Sequence, residues 1–273
     1  MWIANQVCGT PAANDLVGTA NMAGARFLFG SLLLGIVGCN PPDAPTRVYL
    51  STEQAKANSF VKFKDSKAIN ILMIGNSHAN AANLLSTVHT YVEHETKKEV
   101  EVYPVFVPFL SDAVNRDDVY GLMSNANIII FQGQKLSQSH KYIYSTKEAI
   151  KLANTAKEYG KTVLWFAEWP RKGVDETAYI ENIYAGIAKE STGKIVPTGR
   201  IFDFLSNEFP KRELYSSDGN HASSDGSFFA GLTIASFCVG GFKASDLPIP
   251  DYITEEEFNS ALTFIKSLHN TQN

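Results

Sequence analysis

The chain has 273 residues, 44% of them hydrophobic and 19% charged, with a formal net charge of -4, the make-up of an ordinary globular protein with a core of its own. Lys and Arg total 24 against 28 Asp and Glu, and no basic block breaks the balance, so a nucleic-acid partner has no electrostatic footprint to bind. The three cysteines, Cys8, Cys39 and Cys238, lie far apart without metal-ligand spacing and point to neither a disulfide framework nor a zinc site.

The first element is a targeting segment over residues 1–39. Arg26 precedes the uncharged run Phe27 to Val37, which is too short to span a bilayer as a helix of about 20 residues. A basic residue, a short apolar stretch and the small residue Gly38 before Cys39 are the parts of a secretory signal. Residues 1–21 carry only Asp15 as a charge, so Met22 is the expected start of the signal. Residues 40–67 hold Pro41, Pro42 and Pro45 and then mixed polar residues, which suits a tether and lead-in. A domain over 68–273 follows, and about 200 residues suffice for one buried core.

Within that domain, apolar runs alternate with helical patterns. Ile69 to Ile74, Val100 to Val107, Ile128 to Phe131, Thr162 to Phe166 and Lys194 to Val196 read as strands, several of them apolar on both faces as buried parallel strands are. Asn80 to Glu93, Thr146 to Tyr159 and Glu176 to Glu190 carry apolar residues at helical spacing, and a further helix is expected around Phe228 to Phe237. Strand–helix repetition predicts an α/β fold: a doubly wound, flavodoxin-like, mostly parallel sheet with helices on both faces. Ligands bind such sheets beyond the carboxyl ends of the strands.

One of those ends carries Gly75-Asn76-Ser77. The glycine permits a tight turn, and Ser77 is expected at the start of the next helix, where free N–H groups and the helix dipole favour an oxyanion. A serine there also serves simply as a helix cap. Far downstream, Asp218-Gly219-Asn220-His221 places a carboxylate three positions from an imidazole on a turn before a helix. It reads either as an ordinary Asp-Gly turn or as an acid and a base for the serine, whose hydroxyl is a weak nucleophile until a positioned base takes its proton.

Taken together, these blocks resemble those of the SGNH hydrolases, the GDSL-like esterases and lipases, over approximately residues 69–240. Gly75-Asn76-Ser77 resembles the family's first block, with Asn76 in place of the usual Asp, and Asp218-Gly219-Asn220-His221 its last block. The resemblance implies Ser77 as nucleophile, His221 as base and Asp218 as its orienting partner, with no cofactor. It also implies an oxyanion hole from Ser77 and two middle blocks. There Gln134, with Gln132 as fallback, stands where the family has an asparagine, and Ser111 where it has a glycine. Ile36-Val37-Gly38-Cys39 resembles the lipobox of bacterial lipoproteins, which implies lipidation of Cys39, a membrane anchor and a place in the cell envelope. Asn40 lacks the charge that often marks inner-membrane retention in that family and so favours the outer membrane.

The activity expected from these residues is cleavage of a carboxylic ester, with O-acetyl groups on carbohydrate as one substrate type. The alternatives are an O-acyltransferase using the same side chains and a non-catalytic carbohydrate- or partner-binding protein of this fold. His78 is expected to line the pocket or face solvent, and His89 and His94, five apart on one helix, share no ligand face. Trp169 is expected either to stack on a sugar or to cover the core.

Overall fold

The computed structural model describes residues 67–270; the targeting segment, Cys39 and most of the 40–67 lead-in lie outside the described residues. The sheet has five strands, β1 (Ile69–Gly75), β2 (Val100–Phe106), β3 (Ile128–Phe131), β4 (Thr162–Ala167) and β5 (Lys194–Pro197). They run in the order β2-β1-β3-β4-β5, and every pairing is parallel. Each strand starts where the apolar run predicts it, and the ends differ by one residue at most. β2 carries Pro104, which has no N–H for a ladder, and it lies on the sheet edge, where a proline is tolerated.

The helices are α1 (Leu84–Thr96), α2 (Leu110–Ala113), α3 (Asp117–Asn125), α4 (Lys147–Glu158), α5 (Thr177–Glu190), α6 (Thr198–Glu208), α7 (Ser224–Val239) and α8 (Glu255–Asn270). They cover both faces, because side chains alternate along each strand. Ile71, Met73, Ile130, Leu164 and Phe166 point into one core with α1, α6, α7 and α8. Leu72, Ile74, Ile129, Val163 and Trp165 point into the other, with α2 to α5. Helix α7 is buried along almost its whole length, and Phe228, Phe229 and Phe237 belong to the first core. Cys238, near its end, is free and only partly buried.

Two features of this fold position the site. The chain winds from β1 outward to β2, then back across to β3 on the other side of β1, so the carboxyl end of β1 lies at the point where the winding reverses. Helix α1 begins later than its periodicity suggests, at Leu84 and not near Asn80. Ala82 takes a positive φ of 20° and Asn83 caps the helix, so residues 77–80 form only a turn. Helices α2, α3, α6 and α8 are elements that the sequence reading above does not contain.

Candidate active site

The turn after β1 is shaped by a glycine and a buried amide. A Cβ on Gly75 would lie 2.6 Å from Gln132 Oε1 and 2.8 Å from Ala79 Cβ, so only glycine fits. Gln132, wholly buried at the end of β3, accepts the Asn76 N–H through Oε1 at 2.8 Å. Asn76 Oδ1 in turn accepts the His78 N–H at 3.1 Å, and the Asn80 N–H reaches the Asn76 carbonyl at 3.2 Å. This closes a tight turn with Ser77 exposed at its apex. Ser77 therefore stands ahead of α1 and not on its first turn. The expectation of a helix dipole behind it fails, because Ala82, at a positive φ, breaks the helical path ahead of α1.

A second loop meets it. Tyr215 and Ala222 form an isolated antiparallel bridge, and the Ser216 N–H donates to the His221 carbonyl at 2.8 Å, so residues 216–221 make a closed loop. Inside it, Asp218 Oδ1 accepts the N–H groups of Asn220 and His221 at 2.8 and 2.9 Å. Asp218 Oδ2 lies 2.5 Å from His221 Nδ1, and His221 Nε2 lies 2.8 Å from Ser77 Oγ. Three side chains distant in sequence thus form one chain of contacts. Hydrogen bonding from the His221 ring, and then from the two backbone N–H groups, holds the Asp218 carboxyl well below the usual carboxylate range.

Trp169 fixes this loop from below. It is buried, stacks on Phe202 at 4.7 Å and donates Nε1–H to the Asn220 carbonyl at 3.0 Å. Of its two readings, the structure shows the core-covering one. The His78 ring lies 5.1 Å from Trp169 and 5.5 Å from His221. Burial first, and the nearby His221 second, lower its pKa to about 4, so at neutral pH it is an uncharged wall of the site.

The oxyanion side differs from expectation. Gln134 spends its amide on the Ser145 carbonyl at 3.0 Å, with a longer contact to the Lys135 carbonyl at 3.4 Å. Gln132 faces the serine turn with its oxygen, an acceptor, while its amide nitrogen is buried without a hydrogen bond of ordinary geometry. Neither glutamine presents a free N–H to Ser77, because the folded loops consume one amide and orient the other inward. Ser111 is exposed on α2, and the backbone N–H groups of Ser77 and Ser111 have no acceptor among the described residues.

Beneath Gly133 and Gln134 lies a network that the sequence did not disclose. The Tyr184 hydroxyl, from α5, accepts the N–H groups of Gly133 and Gln134 at 3.2 and 3.3 Å and donates to Glu168 at 2.8 Å. Burial pushes the Glu168 carboxyl up to about 7, against the opposing pull of its backbone, of Tyr184 and of the Gln132 amide. Glu168 follows directly on β4, whereas its partner Tyr184 sits on α5 with nothing in its sequence neighbourhood to mark it. Among the described residues no group of three or more His, Cys, Asp or Glu is placed to hold a metal.

No protein-family model matches the chain, and no curated protein matches it. Solved structures do. A DUF4886 family protein from Bacteroides uniformis is 16% identical with a TM-score of 0.60, over 75% of this chain and 94% of that one. A Slackia heliotrinireducens protein, described provisionally as an SGNH hydrolase, is 21% identical with a TM-score of 0.48 over 62% of this chain and 98% of its own. A Clostridium thermocellum family 3 carbohydrate esterase is 10% identical, with a TM-score of 0.48, over 63% of this chain and 94% of that one. At such identity, the likeness to the Bacteroides uniformis protein establishes a shared fold.

Proposed function

We propose that the protein is a serine esterase of the SGNH hydrolase type, cleaving a carboxylic ester with Ser77 as nucleophile. The observation that carries this reading is the imidazole of His221, 2.8 Å from Ser77 Oγ on one side and 2.5 Å from Asp218 on the other. In the proposed reaction His221 Nε2 takes the hydroxyl proton as Oγ attacks the ester carbonyl carbon, and Asp218 stabilises the imidazolium that forms. The tetrahedral oxyanion is held by the backbone N–H of Ser77, with that of Ser111 as second donor, since both are without acceptors among the described residues. The imidazolium then protonates the leaving alcohol, and water, deprotonated by the same ring, releases the acyl group from the serine.

Ser77 lies at the surface, which suits an ester on a bulky alcohol, and O-acetyl carbohydrate is the substrate class proposed. The test is a fluorophosphonate probe followed by Ser77→Ala. The wild type labels and hydrolyses acetyl esters, and the variant does neither while remaining folded. Undiminished hydrolysis by the variant would reject the mechanism.

A further inference from the structure

The carboxyl edge of the sheet, where Ser77 stands, also carries a cation whose neighbours are rings and not carboxylates. Lys135 is exposed, and its Nζ sits 5.2 Å from the centroid of the Phe109 ring and 4.5 Å from that of Tyr144. Phe109 follows β2, and Lys135 and Tyr144 both lie in the loop between β3 and α4.

Two hydrogen bonds join these loops to each other and to the serine turn, and a third closes the β3–α4 loop on itself. Asn76 Nδ2 donates to the Pro108 carbonyl at 3.4 Å, the Leu110 N–H to the Gly133 carbonyl at 2.9 Å, and Gln134 Nε2 to the Ser145 carbonyl at 3.0 Å. Each member of the cluster is thus the chain neighbour of a residue in this lattice: Phe109 of Pro108, Lys135 of Gln134, Tyr144 of Ser145. Consecutive Cα atoms are about 3.8 Å apart, which keeps the cluster on the same rim as Ser77.

Nearby carboxylates are engaged elsewhere. Asp112 accepts the Phe109 N–H at 3.1 Å and Glu148 accepts the Ser145 hydroxyl at 2.9 Å, and no carboxylate among the described residues is within ion-pair distance of Lys135. By contrast, Lys172, whose N–H donates to the Gly219 carbonyl in the Asp218 loop, is paired with Glu213 at 3.1 Å. Two aromatic faces hold an ammonium in place without neutralising it, and Phe109, 36% exposed, adds apolar surface on which a ring can lie.

We propose that Phe109, Lys135 and Tyr144 form the substrate-recognition wall of the Ser77 site, and that the favoured ester is carried on a sugar ring bearing a negative charge. The ring packs on the aromatic faces and its anion pairs with the Lys135 ammonium. This rests on the esterase reading for the chemistry, but the recognition can be measured without it.

The experiment is a titration of the Ser77→Ala protein, at low ionic strength, with 4-nitrophenyl β-D-glucuronide, the uncharged glucoside and the glucoside 6-phosphate. At least one anionic glycoside should bind about tenfold more tightly than the neutral one, the order expected for one new partly exposed charge pair. Preference for the glucuronide identifies a carboxylated sugar, and preference for the phosphate alone a phosphorylated one. Adding Lys135→Gln should bring the ratio to about one, whereas Lys135→Arg should keep it. Equal binding of all three, no binding at millimolar concentration, or a preference that survives Lys135→Gln would overturn the proposal. A Lys135-dependent preference in a protein whose wild type hydrolyses no acetylated form of these glycosides would leave this inference standing and remove the esterase reading.

Discussion

Asp218 uses its two oxygens differently. Oδ1 takes two backbone N–H groups and fixes the loop, while Oδ2 takes the ring of His221 and so sets which nitrogen of that ring carries the proton. In Asp218→Asn, the amide oxygen can keep both backbone bonds, but the amide NH₂ would face Nδ1 and favour the tautomer with its proton toward Ser77. Turnover in the proposed reaction should fall by about 10³–10⁴-fold, with unfolding free energy within about 1 kcal/mol of wild type because the side chain is half-exposed and its ion pair is screened by solvent. A steady-state assay with parallel urea melts checks both halves, and a comparable loss in each would refute the separation. Glu168 makes the opposite kind of prediction. Burial pushes its carboxyl up to about 7 in the fold, from the ordinary 4.5, so between those values the unfolded chain has lost a proton that the folded chain keeps, and stability falls as pH rises from about 5 to 7. Glu168→Gln mimics the protonated acid. It should leave stability unchanged at pH 5 and raise it at pH 8 by on the order of 1–3 kcal/mol, and melts at the two pH values decide it. Ser77, Asp218 and His221 can be singled out in the sequence because their residue types and order are informative in themselves. Gln132 and Gln134 mislead because an amide's role depends on which way it points, and their partners Asn76 and Ser145 are fixed only by folding.

Helix α7 ties the loop that carries Asp218 and His221 to the core. Its first turn is capped by Ser223, whose hydroxyl accepts the Gly226 N–H at 3.1 Å, and a Cβ on Gly226 would come within 2.0 Å of the Leu214 carbonyl oxygen. That oxygen belongs to the backbone and cannot swing aside. Gly226→Ala should cost about 3 kcal/mol or slightly more, seen in a urea titration, with activity falling as the loop shifts. Gly186 lies inside α5 with nothing near its would-be Cβ. Gly186→Ala should therefore stabilise by about 0.5–1 kcal/mol, and destabilisation at this position would mean that α5 is packed more closely than described. Strands were legible because a run such as Ile128-Ile129-Ile130-Phe131 is apolar on both faces, which in so short a span fits a central parallel strand. Helix α8 also left signals: Thr254 and Glu257 exchange hydrogen bonds as a capping box, and Phe258, Ala261, Ile265 and Leu268 recur at helical spacing. Helix α2, at four residues, is shorter than any periodicity can register, and α6 follows β5 without a loop, so that only tertiary packing marks where one ends and the other begins.

Across the whole molecule, the alternation of strands and helices announced a doubly wound, flavodoxin-like sheet, and the order β2-β1-β3-β4-β5 is the one such a sheet has. That order is what places Ser77 at the reversal point of the winding. The N-terminal reading is independent of it. Among the described residues no helix is long and apolar enough to cross a membrane. The lipobox resemblance puts the expected anchor on Cys39. An acyl chain contributes about 0.8 kcal/mol per buried methylene, and stable anchoring takes more than one chain, so removing the thiol removes the whole anchor at once. Expressed in a bacterium with a lipoprotein-processing pathway, the wild-type chain should sediment with the membrane fraction and Cys39→Ser should move to the soluble fraction. Its specific activity in the proposed ester cleavage should be unchanged, since residue 39 belongs neither to the 75–80 turn nor to the 216–221 loop in sequence. Continued sedimentation of the variant would assign the attachment to some other part of the chain, and a soluble wild type would dispose of the anchor altogether.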